Sequence, residues 1–166
     1  AQIFSSAFGG GMSSRLFQEV REKRGLCYSI FASAGAYCDT GTMTLYAGTS
    51  GDKLADLAHI TVDELKRAAE DMSEVEVARA RAQMKAGMLM GLESPSARAE
   101  RLARMISIWD RIPVLDEVVA QIDAVSVEAV RGYAGAMSDG APAAMALYGP
   151  VSDAPEIAAL QARLVA

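Results

Sequence analysis

The stretch GGGMSSRLFQEVREKRGLCY, residues Gly9–Tyr28, indicates how the chain begins to fold more clearly than any other segment. Three consecutive glycines do not sustain a helix, so they predict a corner that ends a preceding helix over residues 2–8. Ser13 or Ser14 can then cap a second helix that continues to about Arg24, because a serine hydroxyl accepts one of the free amides at a helix start. The stretch therefore predicts two short helices joined by a glycine corner.

A β-hairpin is predicted immediately after the second helix. Gly25 ends the helix, and residues 26–37 are small, aromatic or β-branched and carry no charge, which is typical of a strand. The turn signal Asp39-Thr40-Gly41 separates this strand from another over residues 42–49. Alternation along the second strand predicts one buried face, formed by Met43, Leu45 and Ala47.

The remainder of the chain is predicted to be mostly helical. Ser73 and Glu76 form a capping box, in which each side chain accepts the backbone amide of the other residue, and Ser94-Pro95 is a second start signal. A late strand over residues 141–149 is predicted from its apolar residues and from the Gly149-Pro150 pair that closes it. The predicted helices cover about 54–68, 73–92, 94–109, 115–122, 126–137 and 153–165, and the third has a buried face of Leu102, Met105, Ile106 and Trp109.

The order of these elements indicates an α+β fold. Strands that are few and do not alternate one-for-one with helices favour a mostly antiparallel sheet with several helices packed on one face. A chain of 166 residues fits one domain, so residues 1–166 are interpreted as a single unit. The net charge of −5 and the lack of a basic stripe argue against nucleic acid as a partner. Neither a long apolar run nor a signal-peptide pattern is present, which favours a cytoplasmic protein without a membrane partner.

The cysteines and the single histidine indicate little chemistry. Cys27 and Cys38 stand at the two ends of one predicted strand, roughly 36 Å apart. This is too far for a disulfide, so both are expected to be free thiols that pack as small buried side chains. His59 has no partner at the spacing of a zinc site. The sequence therefore predicts no metal ligands and no catalytic residue in this chain.

Arg21 and Tyr28 are the residue types best suited to holding a peptide. An arginine donates a rigid fork of hydrogen bonds, and a tyrosine adds one more donor beside an aromatic plane. Together they can hold a peptide carbonyl or stabilise an oxyanion. On residue type alone the alternative is a surface arginine and a strand tyrosine packed on its helix. The corner Gly9-Gly10-Gly11 does not match a phosphate loop, because Met12-Ser13-Ser14 follows it, but it can leave room beside a cleft.

The same stretch resembles the second domain of the pitrilysin-like zinc peptidases, the group that includes insulin-degrading enzymes and mitochondrial processing peptidases. Two segments carry the resemblance: residues 9–17, GGGMSSRLF, and residues 21–29, REKRGLCYS. A weaker likeness continues through the hairpin, the long helices and the late apolar segment. Mitochondrial α-type subunits have a long glycine-rich loop near this corner, and this chain has three glycines, which favours a bacterial-type peptidase.

The resemblance implies a metal-free half of a two-domain zinc peptidase. In that family the first domain carries His-x-x-Glu-His and the zinc, and the second contributes an arginine and a tyrosine to the cleft, here Arg21 and Tyr28 by motif position. Gly9, Gly10 and Gly11 would line the cleft at the corner. The implied partners are a zinc-bearing catalytic domain, on the same or another chain, and an extended peptide substrate.

The resemblance also leaves alternatives open. Some relatives are structural subunits of respiratory complexes, and others are inert partners in heterodimers. A generic α+β binding module is a third interpretation. The family's domain has a strand ahead of the first helix, which is expected to be missing here. The open sheet edge that would result could pair with another chain or with a second copy.

Overall fold

The computed structural model describes residues 1–165 as an α+β fold, in agreement with the class predicted from the sequence. Across these residues helices pack around one antiparallel sheet of two strands, β1 and β2. The strands are β1 (Ser29–Ala36) and β2 (Gly41–Gly48), and the helices are α1 (Gln2–Gly9), α2 (Leu54–Asp71), α3 (Glu74–Gly91), α4 (Pro95–Trp109), α5 (Leu115–Asp123), α6 (Val127–Ser138) and α7 (Ile157–Val165). A π-helical turn, Phe17–Glu22, and a short 3₁₀ turn, Gly51–Lys53, complete the elements.

The predicted hairpin is present and its register is well defined. The Tyr37 amide donates to the Thr40 carbonyl oxygen at 2.9 Å, which closes the turn, and Ala36 stands opposite Gly41. Ile30 and Ala32 are buried on the face of β1 that meets the helices. β1 lies inside its predicted range of 26–37 and begins three residues into it, because the backbone just before it is used to leave the π-helical turn. β2 is shifted by one residue from the predicted 42–49, because Gly41, predicted in the turn, already pairs with Ala36.

The helix after the corner differs from the prediction in two respects. It becomes a π-helical turn, in which the Lys23 amide bonds the Gln18 carbonyl five residues back. No serine side chain caps it, since the Ser14 hydroxyl is buried without a hydrogen-bond partner and the Ser14 amide instead bonds the Gly11 carbonyl at 3.0 Å. The predicted stop is correct, because Gly25 has a φ of 60°, which favours glycine.

The starts of α3, α4 and α6 follow the sequence closely. Ser73 and Glu76 form the predicted capping box at α3. The Ser94 hydroxyl accepts the Ala97 amide at 3.4 Å ahead of Pro95, and the Ser126 hydroxyl caps α6 in the same way. Each signal depends only on residues within one turn of helix, which explains why local sequence predicts it.

Three expectations about the outer parts of the domain are wrong. Residues 141–148 form neither helix nor strand, so the predicted late strand is absent from the described chain. On α4 only Met105 of the predicted face is buried, and Trp109 is 56% exposed, because the helix lies away from the main core. Cys27 is buried as predicted, but Cys38 is exposed because it lies in the hairpin turn.

The core joins α1 tightly to the sheet and the helices. Phe4 and Phe8 are fully buried, and their rings stack with centroids 5.1 Å apart. At the end of α1, a side chain on Gly9 would place its Cβ atom 2.5 Å from the Ala32 amide nitrogen of β1. The glycine therefore permits a contact that no other residue allows, and this contact sets the position of the corner relative to the sheet.

Candidate functional site

Arg21 presents most of its hydrogen-bond donors without partners. It lies on the π-helical turn, where its guanidinium sits 4.5 Å from the centroid of the Phe17 ring. Among the described residues it donates no hydrogen bond, and its one ion pair, to Glu22, is long at 3.6 Å. The side chain is 34% exposed. An arginine already held over an aromatic ring loses little conformational entropy when it binds a carbonyl or a carboxylate.

Tyr28 projects into solvent because of an irregularity at the start of β1. Ser29 stands opposite Gly48 in the register, and the Tyr28 amide also donates to the Gly48 carbonyl at 2.8 Å. Two consecutive residues, Tyr28 and Ser29, therefore lie opposite the single residue Gly48, which is the arrangement of a β-bulge. A bulge changes the direction in which a side chain points. Regular alternation would place Tyr28 on the buried side with Ile30. Instead Tyr28 is 85% exposed.

The space beside Tyr28 is a shallow cavity of about 360 Å³. It is formed where the exit of the π-helical turn meets the end of β2. Lys53, which donates to the Gly25 carbonyl at 2.9 Å, closes one side. The other lining residues are Leu26, Cys27, Gly48, Thr49 and Ser50. A cavity with an exposed phenol, a cation and backbone groups at its rim suits a polar chain better than an apolar ligand.

The charge of Arg21 influences Cys27, the residue directly before Tyr28. Burial raises the pKa of the Cys27 thiol, and the charge of nearby Arg21 opposes that rise, so the guanidinium acts on the residue directly before Tyr28. Arg21 does not line the cavity beside Tyr28. No hydrogen bond or cation–π contact joins the two side chains within residues 1–165. Both therefore remain available to a third group.

The glycine corner is divided between the core and the surface. Gly9 is buried, and its lack of a side chain is explained by the contact with β1. Gly10 and Gly11 are exposed, and Gly11 has a φ of 147° with open space where a Cβ atom would lie. Met12, the next residue, is 74% exposed. The outer half of the corner thus leaves an unobstructed surface.

Arg15 anchors this region to the helices, a role that the sequence did not reveal. Its side chain is only 9% exposed and makes a two-pronged ion pair with Glu76, at 2.9 Å and 3.0 Å, and a further pair with Asp71. Burial opposes ionisation of Glu76, but hydrogen bonds from Arg15 and Ser73 outweigh it and hold the pKa of that carboxyl below its usual value. Its partners lie more than fifty residues away in the sequence, so no local pattern indicates them.

Glu64 is a buried carboxyl that the sequence analysis also missed. It is 3% exposed, and Arg67 donates to its Oε1 atom at 2.8 Å, while Oε2 has no partner among the described residues. Burial raises the pKa of Glu64, and the charge of Arg67 only partly opposes the rise. The residue therefore costs stability when it is ionised.

Replacing Glu64 with glutamine is expected to increase the free energy of unfolding by roughly 1 kcal/mol at pH 7. The sign of this effect follows from the raised pKa of Glu64. A carboxyl group whose pKa is raised by folding stabilises the fold at pH values below its unfolded pKa, and this contribution is lost as pH rises through its folded pKa. The gain should disappear near pH 4. Urea denaturation at both pH values measures it, with Glu70→Gln, an exposed change on the same helix, as control. An equal gain at both pH values would contradict the assignment.

Within residues 1–165 no group of three or more histidine, cysteine or acidic side chains could hold a metal ion. His59 is partly buried and lies near Asp56 and Arg163 at the edge of a groove. In the same part of the chain no helix has both the length and the apolar character needed to cross a bilayer.

The fold is that of an α+β domain, and residues 1–165 contain no cluster of side chains that could hold a metal ion. Residues 1–84 match the sequence family described as "Peptidase M16 inactive domain". The chain belongs to this family, and it is the non-catalytic half of a peptidase-like protein.

Several bacterial proteins are similar to this chain in sequence, and each is named an uncharacterized zinc protease. One from Mycobacterium tuberculosis is 37% identical over 133 residues, which is 80% of this chain and 30% of that protein. One from Streptomyces coelicolor is 36% identical over 152 residues, which is 91% of this chain and 33% of that protein. The chain thus spans about a third of the length of the curated relatives it matches.

Solved structures share the fold. A chain of complex III from Candida albicans superposes with a TM-score of 0.72 at 24% identity, covering 81% of this chain and 34% of that chain. A conserved protein from Enterococcus faecalis gives 0.63 at 26% identity, covering 81% and 31%. A protease from Helicobacter pylori gives 0.64 at 21% identity, covering 81% and 32%. The fold is therefore shared by a chain of complex III and by a protease.

Proposed function

We propose that this chain is the substrate-binding half of a bacterial-type zinc metallopeptidase, and that Arg21 and Tyr28 bind an extended peptide substrate. The observation that carries the proposal is the exposure of Tyr28 at a bulge, next to Cys27, whose thiol lies near enough to Arg21 to be influenced by the charge of its guanidinium. Burying Tyr28 would have gained packing energy, so an 85% exposed position is better explained by binding.

In this proposal the chemistry and the binding are divided between two domains. A zinc-bearing catalytic domain, on the same or a partner chain, supplies an activated water and a glutamate base. Arg21 donates to a peptide carbonyl and Tyr28 adds a second donor, so that the substrate backbone is aligned. The open surface at Gly11 allows the peptide or the catalytic domain to approach. The names of the curated relatives, each a zinc protease, support this division.

The test uses the longer polypeptide, or this chain mixed with the catalytic domain, and a quenched fluorescent peptide. Arg21→Ala and Tyr28→Phe should each lower kcat/KM roughly tenfold, because each removes one hydrogen bond to the substrate. Two substitutions elsewhere serve as matched controls: Arg98→Ala on α4 and Tyr148→Phe, whose side chain is fully exposed. The 166-residue chain alone should show no cleavage and no stoichiometric zinc binding.

The alternative interpretation, an inert structural subunit, predicts that the longer polypeptide does not cleave the peptide. If the longer polypeptide cleaves no peptide and binds no zinc, the chain serves as a scaffold and the proposal fails. If cleavage occurs but both variants retain full activity, the chain belongs to an enzyme, yet the roles assigned to Arg21 and Tyr28 are wrong.

A further inference from the structure

A cavity of about 750 Å³ lies between the hairpin turn and α4. Residues 36–38 form its hairpin side, and α4 forms the opposite side from Arg101 to Trp109. Neither Arg21 nor Tyr28 lines it, and the 8 residues of β1 place the turn roughly 26 Å from Tyr28. A volume of this size is within the range of ligand sites. The cavity is therefore a second candidate site, distinct from the one already described.

The wall formed by α4 carries two positive charges. Arg101, Arg104, Met105 and Ile108 are three or four residues apart, so they share one face of the helix. Met105 is buried and forms the floor between them. Like charges three residues apart on a helix repel each other. A negative group bound between the two guanidinium groups would remove this repulsion.

No acidic side chain of the described chain neutralises the two arginines. The one hydrogen bond of Arg101 runs to the Met88 sulfur at 3.9 Å, and within residues 1–165 Arg104 makes none. Glu100 is four residues before Arg104 on the same helix, yet the two form no ion pair. None of the residues that line the cavity is acidic. The guanidinium donors are thus available to an anion, and a carboxylate can accept two of them at once.

Exposed aromatic side chains stand beside this positive charge. Trp109 is the one tryptophan of the chain, and both it and Tyr37 are more than half exposed. Among residues 1–165 neither ring stacks on another aromatic ring. Tryptophan, tyrosine and arginine are the residue types that most often dominate the binding of a protein or peptide. Covering the two rings would also remove apolar surface from water.

We propose that this cavity binds a peptide segment in which an acidic residue is next to an apolar one. The carboxylate accepts hydrogen bonds from Arg101 and Arg104, and the apolar side chain packs against Tyr37 and Trp109. The site is a binding site without chemistry of its own. It does not depend on the proposed peptidase function, because it can hold a peptide whether the parent protein is an enzyme or a structural subunit.

Two observations favour an acidic peptide over a phosphate-bearing ligand. Phosphate sites commonly use the free amides at a helix start, but α4 begins at Pro95 and the cavity is lined only from Arg101 onward. Inorganic phosphate would also leave the two aromatic rings exposed. A long polyanion such as nucleic acid is disfavoured by the net charge of −5. A short acidic and apolar segment matches both the charge and the surface.

The fluorescence of Trp109 measures binding directly, because the 166-residue chain contains no other tryptophan. The probe is the peptide Gly-Glu-Leu-Gly, blocked at both ends, and its addition should change the Trp109 emission in a saturable manner. Gly-Gln-Leu-Gly lacks the charge and Gly-Glu-Gly-Gly lacks the apolar side chain, so each should bind roughly fivefold more weakly. Equal affinity for the acidic and the neutral peptide, or no change in emission, would overturn the proposal.

A pair of matched variants locates the charge that is responsible. Arg104→Gln should raise the Kd for Gly-Glu-Leu-Gly roughly tenfold, because a charge-assisted hydrogen bond is lost. Arg98→Gln removes an exposed charge from the same helix outside the cavity and should leave the Kd unchanged. If the 166-residue chain does not fold alone, the anisotropy of a labelled peptide gives the same comparison in the longer polypeptide. Equal Kd values for the two variants would contradict the assignment.

Alkylation of Cys38 tests where the peptide binds and what the site prefers. Cys38 is exposed at the edge of the cavity, so saturating Gly-Glu-Leu-Gly should slow its reaction with iodoacetamide roughly fivefold. Buried Cys27 serves as the internal reference. An unchanged rate would place the peptide elsewhere and refute the site. Displacement of the peptide by inorganic phosphate far more readily than by acetate would mean a general anion site instead of a peptide site.

Discussion

Replacing Arg15 with alanine is expected to lower the free energy of unfolding by roughly 2 to 3 kcal/mol at pH 7. The substitution removes both prongs of the ion pair to Glu76 and leaves that carboxyl, 19% exposed, with only its Ser73 contacts. The pair to Asp71 contributes less, because the Asp71 side chain is 46% exposed and water screens the interaction. The loss is large because an ionised group becomes buried without its counter-charge.

The pH dependence of this loss identifies its cause. Contacts with Arg15 help to hold the pKa values of Glu76 and Asp71 below their ordinary values of 4.5 and 3.8. A depressed pKa stabilises the fold above the unfolded value, and the contribution is lost as pH falls through the folded pKa. The difference between wild type and variant should therefore shrink below about pH 4. Urea denaturation across this range measures it.

A control distinguishes the ion pair from general surface effects. Arg79→Ala removes an exposed arginine that donates to the Ser13 carbonyl at 2.7 Å, and it should cost less than 1 kcal/mol. If Arg15→Ala costs no more than Arg79→Ala, or if its cost does not depend on pH, then Arg15 does not anchor the corner electrostatically.

Replacing Gly9 with alanine is expected to destabilise the fold by roughly 2 to 3 kcal/mol. The new Cβ atom would lie 2.5 Å from the Ala32 amide nitrogen and 2.6 Å from the Ala32 Cβ atom. Both are parts of β1 that cannot rotate away, so α1 and the sheet must separate. This separation would loosen the packing around Phe8, which has no exposed surface.

The same chemical change at Gly87 should have the opposite sign. Gly87 lies inside α3 and has open space where a Cβ atom would be, so alanine there should add roughly 0.5 to 1 kcal/mol through higher helix propensity. Thermal unfolding of the two variants side by side gives the comparison. A Gly9→Ala protein as stable as wild type would mean that this glycine is not needed for packing.

Local signals in the sequence predicted the elements well. The capping box at Ser73, the Ser94-Pro95 start and the Gly25 stop all appear at the predicted positions. Each depends on hydrogen bonds between residues that are close along the chain. The hairpin was predicted for the same reason, since its turn joins residues that are only a few positions apart.

Predictions that needed distant partners were less successful. The late strand over 141–149 requires a neighbour for its hydrogen bonds, and the described chain provides none. The apolar face of α4 was expected to be buried, but an apolar pattern shows only that a face can be buried, and Trp109 stays half exposed. In the site, residue type and resemblance identified Arg21 and Tyr28, and their joint role in binding stays a prediction.

The amino-acid sequence by itself determined the glycine corner, the helix starts at Ser73, Ser94 and Ser126, the hairpin and the family, because these depend on backbone preferences and short motifs. Only the tertiary structure decided that Arg15 is an anchor, that Glu64 is buried and that a bulge turns Tyr28 toward solvent. Those outcomes depend on which surfaces meet, and burial and ion pairing arise from contacts between segments far apart in the chain.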